Sequence, residues 1–378
     1  MKEVFDAVIV GGGLAGLSLA IQLAEANRSV LVIEKKRYPF HRVCGEYVSM
    51  ESWNFLERIG LPLREMQLPV INMLQVSSAG GNMVTHPLAP GGFGISRFLL
   101  DSSLAAIAKS KGVQIFEDTR AEEIALQGDL MAVQAGRNQY LAKVVIGAYG
   151  KRSNIDKQLQ RSFIALPKKA DANWVGVKYH IKSDLEPNII QLHNFKGGYC
   201  GISKVEGDHY CLCYLTKAEN LKAFGGSIRR MEEELLSLNP LLKKIFFNRN
   251  HFLFEQPETI SQVSFESKKA VEKNVLMLGD AAGLIAPLCG NGMSMAFHSA
   301  AICFGVIEKF FTTSVSREEM EQLYIKLWKK QFSARLNAGR LLQPLLVNTT
   351  LSSPAIGLLK GFPFIMKQVI KATHGKSF

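Results

Sequence analysis

The sequence predicts an α/β fold: a doubly wound, Rossmann-like domain carrying an inserted mixed β-sheet domain and ending in helices. Three observations predict it. A short apolar run at residues 7–10 leads into Gly11-Gly12-Gly13-Leu14-Ala15-Gly16, then a helix-forming stretch, then a second apolar run ending at Glu34. That order is strand, glycine turn, helix, strand. Two more short apolar runs, 144–146 and 274–278, each end in a glycine-bearing turn, as buried parallel strands do. Between them, from about residue 170 to 265, the texture changes, and the segments 175–181, 189–195 and 210–215 alternate, the period of an antiparallel strand.

The first turn carries the first ligand signal. Gly11, Gly13 and Gly16 stand at the spacing of a dinucleotide fingerprint, in the strand-to-helix context it requires. Gly11 makes the tight turn, Gly13 lets a pyrophosphate approach the backbone, and Gly16 lets the helix pack on the strand. Leu14 and Ala15 open that helix, whose free N–H groups point at the pyrophosphate. Glu34 ends the second strand, where a carboxylate binds both ribose hydroxyls, and Lys35 follows it.

Along the chain, residues 35–46 form a loop around Pro39 and Gly45. Ser49 caps a helix over 50–59 that Gly60 stops. Strands are expected at 70–77 and 82–86, joined through Gly80-Gly81, and a helix at 98–110. A strand at 113–116 and a small meander at 121–125 and 131–134 precede the strand ending at Gly147. The alternating segments 175–181, 189–195 and 210–215 form a sheet with one buried face, followed by helices at 227–237 and 241–247. A helix over 293–309 and a long one over 318–343 complete the pattern. Residues 1–69, 95–165 and 268–312 form the discontinuous nucleotide-binding domain. Residues 70–94 and 166–267 form the inserted substrate domain, and 313–378 a C-terminal helical segment.

The second ligand signal is the strand that ends at Gly279-Asp280, with Pro287 and Gly290-Asn291-Gly292 ahead of a helix. Ligands sit at the carboxyl ends of such strands. Asp280 can accept from a polyol, and the following helix N-terminus stabilises negative charge, as on a reduced flavin. Two nucleotide-facing motifs at opposite ends of one chain imply one long ligand, FAD.

Composition narrows the rest. The chain has 378 residues, 47% hydrophobic and 21% charged, enough for two domains. Its net charge of +12 fits nucleic acid, an anionic membrane surface or an anionic substrate. The chain shows no nucleic-acid-binding motif, which argues against the first. No uninterrupted apolar run approaches the roughly 20 residues of a membrane helix, and the start has no signal-peptide pattern, so a cytoplasmic protein is expected. The six cysteines make no CxxC pair and fit no zinc template, so no metal site is expected. Residues 341–378 interleave apolar side chains with Lys360, Lys367, Lys371 and Lys376, and Pro354 and Pro363 divide them into short pieces. This segment reads as a helical lid or as a peripheral membrane anchor.

As a set, these motifs resemble the FAD-dependent superfamily of aromatic-ring hydroxylases, geranylgeranyl reductases and flavin-dependent halogenases, over most of residues 1–310. The resemblance implies a glutathione-reductase-type FAD domain. It implies that Gly11, Gly13, Gly16 and Glu34 hold the ADP half and that Arg97, in Arg97-x-x-x-Asp101-x-x-Leu104, lies near the pyrophosphate. It places Asp280 on the ribityl hydroxyls and Pro287, Gly290 and Gly292 against the isoalloxazine ring. Arg42-Val43-Cys44-Gly45-Glu46 resembles a segment beside the flavin in reductases and related monooxygenases. Arg42 would then reach the ring or the phosphates, and Cys44 would line the flavin face, the one catalytic candidate, or be a small buried residue. Where hydroxylases carry Asp-Gly after the third parallel strand, this chain has Tyr149-Gly150, which puts direct NADPH use in question. The reductase and halogenase stretches of the substrate domain are absent. His298 is a further acid–base candidate, weighed against a packed helical histidine.

The expectation is an FAD-dependent monooxygenase acting on a hydrophobic aromatic or polyketide/lipid-like substrate. NAD(P)H is the expected donor, directly or through a partner reductase. The alternatives are a reductase of isoprenoid C=C bonds and a non-catalytic FAD-binding lipid carrier.

Overall fold

The computed structural model describes residues 3–165, 173–263, 265–286 and 290–378. Two eight-stranded sheets organise it. The first runs Val271–Glu272, Val275–Met277, Asn138–Gly147, Val4–Val10, Val30–Ile33, Gln114–Phe116. All its pairings from Val275–Met277 to Gln114–Phe116 are parallel. Val30–Ile33 and Val275–Met277 are buried throughout, as strands covered on both faces must be. The hairpin Ala121–Gln127 and Leu130–Ala135 pairs antiparallel onto Asn138–Gly147. Helix Leu14–Glu25 packs against helices Arg97–Ser110 and Gly292–Thr312. The latter is long and apolar enough to cross a membrane by length and composition. Here Phe297, Ala300, Cys303 and Ile307 bury its inner face in the main core.

The second sheet runs Glu258–Val263, Trp174–Ile181, Tyr210–Lys217, Gly198–Lys204, Ile189–Phe195, Val70–Ser77, Met83–Gly94, Tyr47–Ser49. It is mixed, because Ile189–Phe195 pairs parallel with Val70–Ser77. The expected single buried face holds only in part, since every residue of Trp174–Ile181 is buried. Val175, Val177 and Tyr179 pack on Met231, Leu242 and Phe246 of the helices behind the sheet. The alternate positions Gly176, Lys178 and His180 face the loop 41–46. A Cβ at Gly176 would lie 3.0 Å from Val43, and the Lys178 and His180 side chains both reach Glu46. Strand Tyr47–Ser49 joins this sheet although its sequence position belongs to the first domain. Ser49 caps a short 3₁₀ turn, Met50–Ser52, ahead of helix Trp53–Arg58.

Three helices close the chain: Arg317–Val347, Thr349–Gly361 and Pro363–Thr373. Ser316 and Glu319 form a capping box that starts the first. Pro363 occupies the opening position of the last, where its missing N–H costs nothing. Pro354, expected to break the segment, lies inside Thr349–Gly361. One lost hydrogen bond there is offset by the burial of Ile356. Val347, Ile356, Met366 and Ile370 pack on Val76, Val84, Leu88 and Leu192, so the inner face of the segment is a lid on the second sheet.

Candidate functional site

A cavity of about 490 Å³ opens between the glycine turn of the first domain and the inner face of the second sheet. Its first wall is the turn itself, with Gly11, Gly13, Leu14 and Ala15. Gly11 has φ +110°, and a Cβ there would sit 2.5 Å from the Ala148 carbonyl oxygen, so only glycine lets the two strand ends approach. Gly16 does not line the cavity. A Cβ on it would lie 2.1 Å from the Gly11 carbonyl oxygen, so it serves helix-to-strand packing as expected.

Glu34 sits at the end of Val30–Ile33, where the Gly12 N–H donates to its Oε2 at 2.8 Å and the Lys36 N–H to its Oε1 at 3.1 Å. Arg42 spans two carboxylates, donating to Glu34 at 3.2 Å and to Asp101 at 3.0 Å. Arg97 donates to both Asp101 oxygens, at 2.7 and 2.8 Å. The two guanidinium groups converge on Gly13, with nitrogens 3.8 Å (Arg97) and 4.0 Å (Arg42) from where its Cβ would be. A glycine without side chain, two guanidiniums above it and a helix N-terminus beside it form a diphosphate cradle. Arg42 thus stands at the glycine-turn end of the cavity, beside Glu34 and Asp101. Lys35 also lines the cavity, and burial lowers its pKa.

The far end is built from Gly150, Gly279, Asp280, Gly290 and Gly292. The Gly279 N–H donates to Ser299 Oγ at 3.1 Å, and Lys268 Nζ donates to the Asp280 carbonyl at 2.8 Å and to the Lys151 carbonyl at 3.0 Å. Burial pushes the Lys268 ammonium down to about 8. Tyr149, in the place of the hydroxylase aspartate, donates to Asp156 at 2.9 Å, and Arg161 joins Asp156 to the Ala281 carbonyl. This buried network braces the Gly279–Ala281 turn from behind. Asn291 turns away from the cavity and donates to the Thr373 carbonyl, tying the C-terminal helix to the turn. Its side chain thus stands outside the cavity in which a cofactor contact was expected. Pro287, also expected at the flavin, lies outside the described residues.

The middle of the cavity is set by the loop 41–46. Cys44, Gly45 and Glu46 line it. Ser203 donates to the Gly45 carbonyl at 3.1 Å, and Cys211 Sγ donates to the Cys44 carbonyl at 3.2 Å, so the second sheet holds the loop. Burial raises the thiol pKa values of Cys211 and Cys213. Glu46 is fully buried at φ +55° and accepts from Lys178 at 2.5 Å, from the Arg97 N–H at 2.7 Å, and contacts His180 Nε2 at 2.6 Å. Burial alone would raise its pKa; Lys178 and His180 overcome that and hold the carboxyl at about 2. Lys178, His180 and Lys268 escaped the sequence reading. The first two show only as polar alternate positions in an otherwise apolar strand, and Lys268 shows no pattern at all. His298 lines neither this cavity nor its neighbour. It stacks on Phe378 at 4.0 Å, and burial pushes it down to about 4, the setting of a packed helical histidine.

These groups fit FAD: a carboxylate at the end of the second strand for the ribose, a doubly guanidinium-faced glycine for the diphosphate, and a glycine-lined helix N-terminus for the flavin. Among the described residues no His/Cys/Asp/Glu group is placed to hold a metal ion.

Comparison with known proteins agrees. The digeranylgeranylglycerophospholipid reductase of Methanosarcina acetivorans is 24% identical over 368 residues, covering 87% of this chain and 82% of the relative. The flavin-dependent brominase Bmp2 superposes with a TM-score of 0.78 at 17% identity, covering 98% and 93% of the two chains. PqsL, a probable FAD-dependent monooxygenase from Pseudomonas aeruginosa, gives 0.70 at 17% identity, covering 93% and 99%. At such identities the two structures speak for the fold alone. The family model described as an FAD binding domain matches residues 4–304, and the chain belongs to that family of FAD-dependent oxidoreductases.

Proposed function

We propose that the chain is a flavin-dependent monooxygenase of a hydrophobic, aromatic or polyketide/lipid-like substrate, with NAD(P)H as electron source, directly or through a partner reductase. One observation carries the reading. The first cavity shares Tyr47, Ile190, Leu192 and Gly290 with a second cavity of about 210 Å³, whose other walls are nearly all aliphatic. A site built to use dioxygen must keep water from its reacting centre, and such walls do so.

When bound, FAD supplies two-electron redox chemistry and activation of dioxygen. The chain's own residues bind, orient and exclude water. Glu34, Arg42 and Arg97 fix the ADP half. Lys268, through the Asp280 carbonyl, holds the turn at the flavin end. Ile190, Leu192, Leu215, Ile260 and Leu284 form the apolar wall against which a substrate ring would lie.

Cys44 on the cavity wall favours a second reading, a reductase of isoprenoid C=C bonds, and the name of the Methanosarcina relative points the same way. A non-catalytic FAD-binding lipid carrier is the third. The C-terminal helices support peripheral contact with an anionic membrane: Phe362, Phe364 and Leu358 are exposed beside Lys360, Lys367 and Lys371. The test is turnover of co-purifying ligand under ¹⁸O₂. A monooxygenase places one labelled atom in product and stops without oxygen. A reductase turns over anaerobically, and a carrier holds flavin that no donor cycles. Protein that purifies without flavin overturns all three.

A further inference from the structure

Tyr47 occupies the boundary between the two cavities and lines both. It is 4% exposed, yet its hydroxyl has no hydrogen-bond partner among the described residues. Two glycines hold the ring in place. A Cβ at Gly92 would lie 2.4 Å from its Cε2, and one at Gly290 would lie 3.1 Å from its Cδ1. The ring cannot swing away to find a partner. Leaving a hydroxyl buried and unpaired costs roughly 1–3 kcal/mol, which a protein tolerates where a ligand completes the bond.

His374, on the same apolar cavity, has the same property. Its Nδ1 lies 3.0 Å from the Ile370 carbonyl oxygen, an obligate acceptor, so Nδ1 carries the hydrogen. Its Nε2 is then an acceptor, buried and unpartnered. Burial keeps this imidazole neutral by lowering its pKa, with the Arg335 charge adding to the effect. The two rings stand edge to face with centroids 6.5 Å apart, and neither polar atom bonds the other. Tyr47 at the junction thus offers an O–H donor, and His374 on the wall of the adjoining cavity offers a nitrogen acceptor. A hydroxyl group has the chemistry to serve both, accepting from Tyr47 and donating to His374.

From the junction the second cavity runs between Leu74, Val76 and Leu88 of the sheet and Leu342, Leu358, Met366 and Val369 of the C-terminal helices. We propose that Tyr47 and His374 are positioning residues that grip a hydroxyl on the substrate, and that the substrate is an alkyl-tailed phenol, enol or alcohol. Its tail lies under the C-terminal helices and its hydroxyl-bearing end stands at the flavin cavity. The inference rests on the proposed substrate site and narrows its chemistry.

The probes are 4-alkylphenols and the matching 4-alkyltoluenes, titrated against the flavin-loaded, oxidised, full-length protein without donor. Binding is read by calorimetry and by the shift of the flavin absorbance. In the wild-type protein, 4-octylphenol binds about tenfold tighter than 4-octyltoluene. Affinity rises about fourfold per methylene from ethyl to hexyl. Tyr47→Phe cuts the phenol-to-toluene ratio about fivefold and leaves the toluene affinity unchanged, which a merely structural role would not do. Equal binding of phenol and toluene to the wild-type protein overturns the hydroxyl grip, with no variant needed. A flat chain-length series overturns the tail site. These arms involve no oxygen transfer, so a failed ¹⁸O experiment with intact discrimination removes the monooxygenase reading alone. Labelled product with no discrimination removes this inference alone.

Discussion

Glu46 Oε1 and Lys178 Nζ meet at 2.5 Å with neither side chain more than 1% exposed. The pair joins the loop beside the cofactor cavity to strand Trp174–Ile181 of the second sheet, and His180 completes it at 2.6 Å. Removing one charge strands the other in a medium that cannot solvate it. Glu46→Gln should therefore destabilise the protein by about 3–5 kcal/mol in urea unfolding. Adding Lys178→Met to that variant should restore part of the loss, because the stranded charge is then gone.

The same carboxylate sets an acid limit. Its folded pKa of about 2 lies below the ordinary 4.5. The stability it contributes is complete above pH 4.5 and is lost as the pH falls from 4.5 toward 2. Chemical denaturation across that range should show a shallower loss for the Glu46→Gln, Lys178→Met double variant than for wild type.

Arg97 and Arg42 share Asp101, and both face Gly13. Arg97→Ala removes charge-assisted bonds from the diphosphate cradle. FAD affinity should fall about 10- to 100-fold, read by flavin fluorescence during dialysis. Arg97→Lys should recover only part of it, because an ammonium cannot reproduce the fork to Asp101. Unchanged FAD affinity in Arg97→Ala would contradict the cradle.

His298 is packed on Phe378 and lines neither cavity. His298→Leu should leave turnover within about twofold of wild type while removing an acid sensitivity. The folded protein keeps this imidazole neutral down to about pH 4, whereas the unfolded chain protonates it near 6.5. Stability is therefore lost as pH falls from 6.5 toward 4, and the variant should lose less of it in calorimetric scans.

Phe364 is 63% exposed and Phe362 49%, on a segment carrying Lys360, Lys367 and Lys371. The full-length protein should co-sediment with phosphatidylserine-containing vesicles and be released by salt. Phe362→Asp with Phe364→Asp should abolish that binding without loss of flavin. Wild-type protein that stays in the supernatant would remove the membrane contact.

The local part of this protein was legible in its sequence because it is written in short-range terms. Gly11 to Glu34 is one strand–turn–helix–strand unit, and its glycines are demanded by contacts with neighbours no farther than the adjoining strand. Gly279-Asp280 and Arg97-x-x-x-Asp101 are likewise short motifs, and all of them meet at one cavity. What crosses between the two sheets was not legible in the same way. Lys178 and His180 are two residues apart on a strand whose alternation suggested one solvated face. Only the folded sheet shows that this face closes over Glu46, more than 130 positions earlier in the chain. Asn291 looked like a cofactor residue from its neighbours Gly290 and Gly292, yet its partner is the Thr373 carbonyl. Tyr47 had no signal at all, since an unpartnered hydroxyl is defined by what surrounds it.

The sequence by itself determined the nucleotide end, because its glycine turn, the carboxylate ending the next strand and Arg97-x-x-x-Asp101 are each short local patterns. The tertiary structure alone decided the substrate end. Two cavities, the wall between them and the pair Tyr47 and His374 arise where strand Tyr47–Ser49, Gly290 and the last helix converge, and burial is a property of packing that no local pattern encodes.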